Sequence, residues 1–265
     1  MMVNQQTLPL AGRRAIITGA GRGIGRSIAL AFAAAGANIA VTARTTSEIE
    51  QVAAEVRALG RHSLAVTCDV TDPEQVQTLA ARVIAGLGGV DILVNNAGAS
   101  GSHKFLNHPD DLWHRLLTMN MTSVYYVCKA FVPAMVEQNW GRIITIASIA
   151  AKVGGRYIAA YTASKHGVLG LMRALAVELL PHNITVNAIC PGYVDTPMTD
   201  ANVANMAAIT GRSPEQIRRT LAKMSPQERL IEPGEVAAVA LFLAQDISKG
   251  ITGQAINVDG GAVMW

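Results

Sequence analysis

Tyr161 and Lys165 stand four residues apart in the run Tyr161-Thr-Ala-Ser-Lys165. On a helix that spacing brings a phenol and an ammonium to one face. A free phenol ionises near pH 10, and moving it to near pH 7 costs about 4 kcal/mol. One ammonium about 4 Å away supplies that much at an effective dielectric near 20. The pair could therefore give and take a proton at neutral pH. The spacing alone is common, however, and a packed tyrosine beside a solvated lysine meets it as well.

A second group of residues suits phosphate rather than protons. Thr18-Gly19-Ala20-Gly21-Arg22-Gly23-Ile24-Gly25 follows a short β-branched run and precedes a helical pattern. Glycines at such a turn let backbone N–H groups approach a pyrophosphate, and the helix N-terminus favours the anion. The spacing is not the common G-x-G-x-x-G, because Ile occupies position 24 and Arg position 26. The next strand candidate ends at Ala43-Arg44. An acidic residue there would bind the ribose 2′-hydroxyl of NAD, whereas an arginine accommodates the 2′-phosphate of NADP. Arg44, with Arg22 as a second cation, points to NADP(H).

These residues need a frame, and the chain offers a regular one. Strand candidates are Ala15–Thr18, Asn38–Ala43, Ser63–Cys68, Asp91–Asn95, Arg142–Ala147, Ile184–Ile189 and Ala255–Val258. Helical stripes alternate with them: Ile49, Val52, Ala53, Val56 and Leu59, then Val76, Leu79, Ala80, Val83 and Leu87. The second stripe opens with Asp72 as N-cap and Pro73 in the first turn. Strands that are apolar throughout are covered on both faces. The pattern predicts an α/β fold: one doubly wound domain over residues 1–265 with a seven-stranded, mostly parallel sheet. The stretch Pro191 to Pro233 breaks the rhythm, and an Ala- and Met-rich helical lid is expected over about 193–232.

Composition narrows the function. The chain has 265 residues, 22 Lys+Arg against 19 Asp+Glu, and only 15% charged residues. A net charge of +3 without a basic cluster leaves no footprint for nucleic acid or an anionic membrane. Low charge density points to self-association. Cys68, Cys128 and Cys190 are too far apart for a zinc pattern or a disulfide framework and suit a reducing compartment. No leader is read in Met1 to Leu10, so the cytoplasm is the expected location. His103, His108 and His114 match no metal-ligand spacing, and no metal is expected. No G-x-S-x-G occurs to support acyl-enzyme chemistry.

Taken in order, TGAGRGIG (18–25), Asp69, NNAG (95–98), Asn120, Ser148, YTASK (161–165) and PGYVDTPM (191–198) closely resemble the classical short-chain dehydrogenase/reductase family. The resemblance runs from Gly12 to Gly261 and implies a Rossmann fold. It implies that Tyr161 protonates a carbonyl oxygen as hydride arrives, that Lys165 lowers the phenol's pKa and holds the nicotinamide ribose, and that Ser148 polarises the carbonyl. Asn120 would anchor a water relaying protons to Lys165. Asp69 and Val70 would meet adenine; Asn96, Ala97 and Gly98 would border the cofactor. Thr196 would bond the carboxamide, with Pro191, Gly192 and Val194 beside it. A homotetramer is implied, paired through helices over Met121–Gln138 and Ala159–Leu180.

Within the family the chain resembles 3-oxoacyl-thioester reductases, polyketide ketoreductases and hydroxyacyl dehydrogenases. The expected activity is NADP(H)-dependent reduction of a ketone, a 3-oxoacyl thioester first. A free small ketone, ketose or polyol is the alternative substrate, and a non-catalytic NADP(H)-sensing scaffold is the alternative of another class. The carrier-protein-dependent reductases carry two docking arginines on their central helices, where this chain has Tyr126 and Val177. Arg218, Arg219 and Lys223 in the lid could instead meet a coenzyme A phosphate.

Overall fold

The structure is a computed structural model and describes residues 8–265. Residues 1–7 of the stretch in which no leader is read lie outside the described residues. Seven strands form one sheet in the order β3-β2-β1-β4-β5-β6-β7. They are β1 (Arg14–Thr18), β2 (Asn38–Ala43), β3 (Ser63–Thr67), β4 (Ile92–Asn95), β5 (Gly141–Ile146), β6 (Ile184–Pro191) and β7 (Ala255–Val258). Every pairing is parallel, so the expected mostly parallel sheet is wholly so.

Successive strand residues point to opposite faces, and each face has its own helices. Ile17 and Val41 lie in one apolar layer with Phe32 of α1 (Gly23–Ala34), Ile49 of α2 (Thr46–Ala58) and Leu243, which belongs to the helix Pro233–Ala244. Ile16 and Leu93 lie in the other, with Val83 of α3 (Pro73–Leu87) and residues of the two long helices that follow β4 and β5. As read from sequence, the Asp72 side chain caps α3 by accepting from the backbone N–H groups of Glu74 and Gln75.

After β4 the chain forms α4 (Asp110–Leu117), one π-helical turn (Thr118–Thr122) and α5 (Ser123–Glu137). The long helix α6 (Ala159–Glu178) follows β5. Beyond β6 come α7 (Pro197–Thr210) and α8 (Pro214–Ala222), joined by an apolar seam of Val203, Ile217 and Leu221. The segment holds no strand, but Val194 and Ile231 form a single parallel bridge that closes its base. The helix Pro233–Ala244, α9, then returns to the sheet beside α1. Strand order reverses between β1 and β4, and a crevice opens there beyond the carboxyl ends of the strands.

Candidate active site

The glycine loop follows β1 and rests on the chain leaving β4. A Cβ at Gly19 would lie 2.9 Å from Ala97 Cα, and one at Gly25 would collide with Asn96 and the Gly19 carbonyl. Asn96 fixes this approach: its Nδ2 donates to the carbonyls of Thr18 at 2.8 Å and Gly19 at 3.0 Å. Thr18 Oγ1 accepts from the N–H groups of Asn96 and Ala97, each at 3.0 Å. No side chain caps α1 after Arg22, and no acidic residue stands in its first turn. Its orphan N–H groups therefore face the crevice without an internal acceptor. Ile24 packs against the core behind them. Narrow backbone and a bare helix N-terminus fit the pyrophosphate of a dinucleotide.

The residues proposed for the adenosine end lie along the ends of β2 and β3. Arg44, whose side chain is 71% exposed, stands 4.0 Å from Asp69 Oδ2. Asp69 Oδ1 accepts from the backbone and hydroxyl of Thr71, and Val70 is buried. Arg22 Nη1 lies 3.3 Å from Glu48 Oε1. At the opposite end, Pro191 pairs in register with Val258, Gly192 donates to the Val258 carbonyl, and Val194 is buried. A Cβ at Gly23 would lie 3.2 Å from the Thr196 methyl, so the chain after β6 reaches back to the glycine loop.

The proton-handling residues sit between these ends. Ser148, just past β5, accepts from Ala150 N at 3.1 Å. Tyr161 and Lys165 are one turn apart near the start of α6, with the ammonium 5.8 Å from the phenol ring centre. Lys165 is 6% exposed and donates from Nζ to the Ile146 carbonyl at 3.0 Å. Burial draws its pKa down to about 8. Burial pushes the Tyr161 phenol up, and its hydrogen bond with Ser148 opposes this more weakly. The expected lowering of the phenol by Lys165 is therefore reversed: desolvation prevails, and the ammonium turns to a main-chain carbonyl.

Asn120 is buried in the π-helical turn. Its side chain bonds both N–H and C=O of Ala99, at 2.8 and 3.0 Å, and donates to Ser164 Oγ at 3.1 Å. Ser164 in turn donates to the Tyr161 carbonyl at 2.7 Å. Asn120 thus ties the loop after Gly98 to the helix carrying Tyr161 and Lys165. Ser164 escaped the sequence reading because a serine inside a helix carries no signal of its own. Cys190, read from sequence only as one of three thiols, lies close to this group: it is fully buried and pushed up by burial, with the Ser148 N–H and Lys165 among the opposing influences. Arg218, in α8, is held by Asp195 and by Asp200 at 2.6 Å, so it is already paired. Among the described residues, no group of three or more His, Cys, Asp or Glu could hold a metal ion. Nor is any of their helices long and apolar enough to cross a membrane.

Residues 19–263 match the family model described as "Enoyl-(Acyl carrier protein) reductase". The chain is 38% identical to the D-beta-hydroxybutyrate dehydrogenase of Rhizobium meliloti over 252 residues, covering 94% of this chain and 98% of the relative. It is 35% identical to the 3-oxoacyl-(acyl-carrier-protein) reductase FabG of Staphylococcus aureus, covering 95% and 98%. The crystal structure of an actinorhodin polyketide ketoreductase variant with NADPH superposes with a TM-score of 0.92 at 37% identity, covering 96% and 98%. Levodione reductase superposes with a TM-score of 0.91 at 28% identity, covering 95% and 98%.

Proposed function

The chain belongs to the short-chain dehydrogenase/reductase family, and we propose that it reduces the ketone of a 3-oxoacyl thioester to a secondary alcohol with NADP(H). Its coarser character, an oxidoreductase interconverting ketone and alcohol, follows from the family. A bound nicotinamide supplies the hydride. Tyr161 gives the carbonyl oxygen its proton, and Ser148 orients that oxygen by hydrogen bonding. Lys165 holds the nicotinamide ribose and restores the phenolic proton. Asn120 and Ser164 position the helix that carries both. The observation that carries the reading is the pair of Tyr161 and the buried Lys165, one turn apart on α6 with the ammonium 5.8 Å from the phenol ring centre, beside Ser148 at the end of β5. Arg22 and Arg44, with no carboxylate at position 44, support NADP(H) over NAD(H).

A second reading, reduction of a free ketone, ketose or polyol, draws on Arg218. Paired with Asp195 and Asp200, it is not free for a coenzyme A phosphate. The segment 193–232 would serve as a lid in either case, within one domain. The exposed Tyr125 of α5 and Val177 of α6 suit a homotetramer joined through these helices, which a light-scattering mass of four chains would support and a monomer mass would refute. Three buried free cysteines suit the cytoplasm.

The test is NADPH consumption by the purified chain on acetoacetyl-CoA beside free ketones and ketoses, with Tyr161→Phe as the control. Turnover of the thioester, lost about 10²–10⁴-fold in the phenylalanine variant, is expected. Turnover of the free carbonyls alone would overturn the thioester reading, and an undiminished variant would overturn the role of Tyr161.

A further inference from the structure

The cations near the glycine loop share that space with a carboxylate. Glu48 stands in the first turn of α2, and its side chain lies across the glycine loop. A Cβ at Gly21 would come within 2.8 Å of both Glu48 Cβ and Oε2. Gly21 has no left-handed backbone to explain it, so what the missing side chain makes room for in this structure is Glu48. The same carboxylate holds Arg22 at 3.3 Å, while Arg44 faces Asp69 at 4.0 Å. Arg26, in α1, is paired with Glu55 at 2.8 Å.

From this arrangement we propose that Glu48 is a specificity-determining residue that weakens recognition of the phosphorylated ribose by competing for Arg22. The inference rests on the NADP(H) reading above. A 2′-phosphate must draw Arg22 away from Glu48 and then accept a carboxylate beside it. An unphosphorylated ribose meets neither cost and leaves the pair of Glu48 and Arg22 in place. Glu48 therefore narrows the preference for NADP(H) that Arg22 and Arg44 create. Its charge also lies at the N-terminus of α2, so removing it leaves that partial positive charge for the phosphate as well.

The test uses nucleotide fragments rather than turnover. Adenosine 2′,5′-bisphosphate and adenosine 5′-monophosphate are titrated calorimetrically into the full chain, into Glu48→Gln and into Glu48→Ala. An exposed ion pair is worth up to roughly 1 kcal/mol, a factor of about five in affinity. Both variants should bind the bisphosphate about fivefold more tightly, with the monophosphate unchanged within twofold. Glu48→Ala, which also clears the face of Gly21, should gain at least as much as Glu48→Gln. Bisphosphate affinity unchanged in both, with the parent still favouring it, would overturn the role of Glu48 and leave the NADP(H) reading standing. Equal binding of the two nucleotides by the parent and both variants would overturn that reading, and Glu48 with it.

Discussion

Lys165 is a buried cation whose counterweight is a carbonyl rather than a carboxylate. Its pKa lies near 8 against an ordinary 10.5. Folding therefore pays about 3 kcal/mol to keep it charged at neutral pH. Its bond to Ile146 offsets about 1 kcal/mol of that. Between about pH 8 and 10.5 the unfolded chain holds a proton that the folded chain has lost, so stability rises with pH across this window. Lys165→Met should accordingly be inactive yet about 2 kcal/mol more stable than the parent at pH 7, with the gap closing by pH 10. Denaturant titrations at both pH values measure this, and a variant less stable at pH 7 would refute it. The spacing of Tyr161 and Lys165 could be read from sequence, but the direction of the phenol's pKa could not. Spacing places two groups on one face without saying how far both are withdrawn from water or which carbonyl the ammonium meets.

Strands and helices were legible for a related reason: apolar runs and stripes report burial directly. All seven strands lie where those runs predict them, within two residues at each end. The π-helical turn carrying Asn120 gave no comparable signal, because it shifts the spacing of the apolar stripe by a single residue, which a short stripe cannot separate from an ordinary break between two helices. The Asn96 clamp also went unread in its detail. Motif order put Asn96 beside the cofactor but did not show that its amide holds the loop through the Thr18 and Gly19 carbonyls. Asn96→Ala would leave these partly buried carbonyls without that donor, at a cost of about 1–3 kcal/mol. A melting temperature lower by about 2–4 °C for each kcal/mol is expected, together with weaker nucleotide binding. An unchanged melt with weakened binding would make Asn96 a ligand contact instead of a clamp.

Over the whole molecule, the two ends of the sheet do different work. The carboxyl ends carry the loops described above, with a glycine-rich backbone and exposed arginines. At the amino ends, Arg14 forms a bidentate pair with Asp91 at 2.8 and 2.9 Å. Arg13 and Arg142 lie over the Trp140 ring at 3.6 and 4.3 Å. Asp246, just beyond α9, binds Arg13, Arg142 and the Trp140 indole N–H, at 3.1 to 3.3 Å. Arg142 is 3% exposed, so its charge depends on Asp246 more than a surface ion pair would. Asp246 itself is largely exposed, which brings the cost of losing it below that of a fully buried pair. Asp246→Asn should thus remove about 1–2 kcal/mol of stability, read as a lower denaturation midpoint with an unchanged slope. Turnover at 25 °C should stay within twofold of the parent, because no residue of the proposed catalytic set touches this network. A loss of turnover without a loss of stability would mean that the amino end of the sheet is coupled to the crevice at the other.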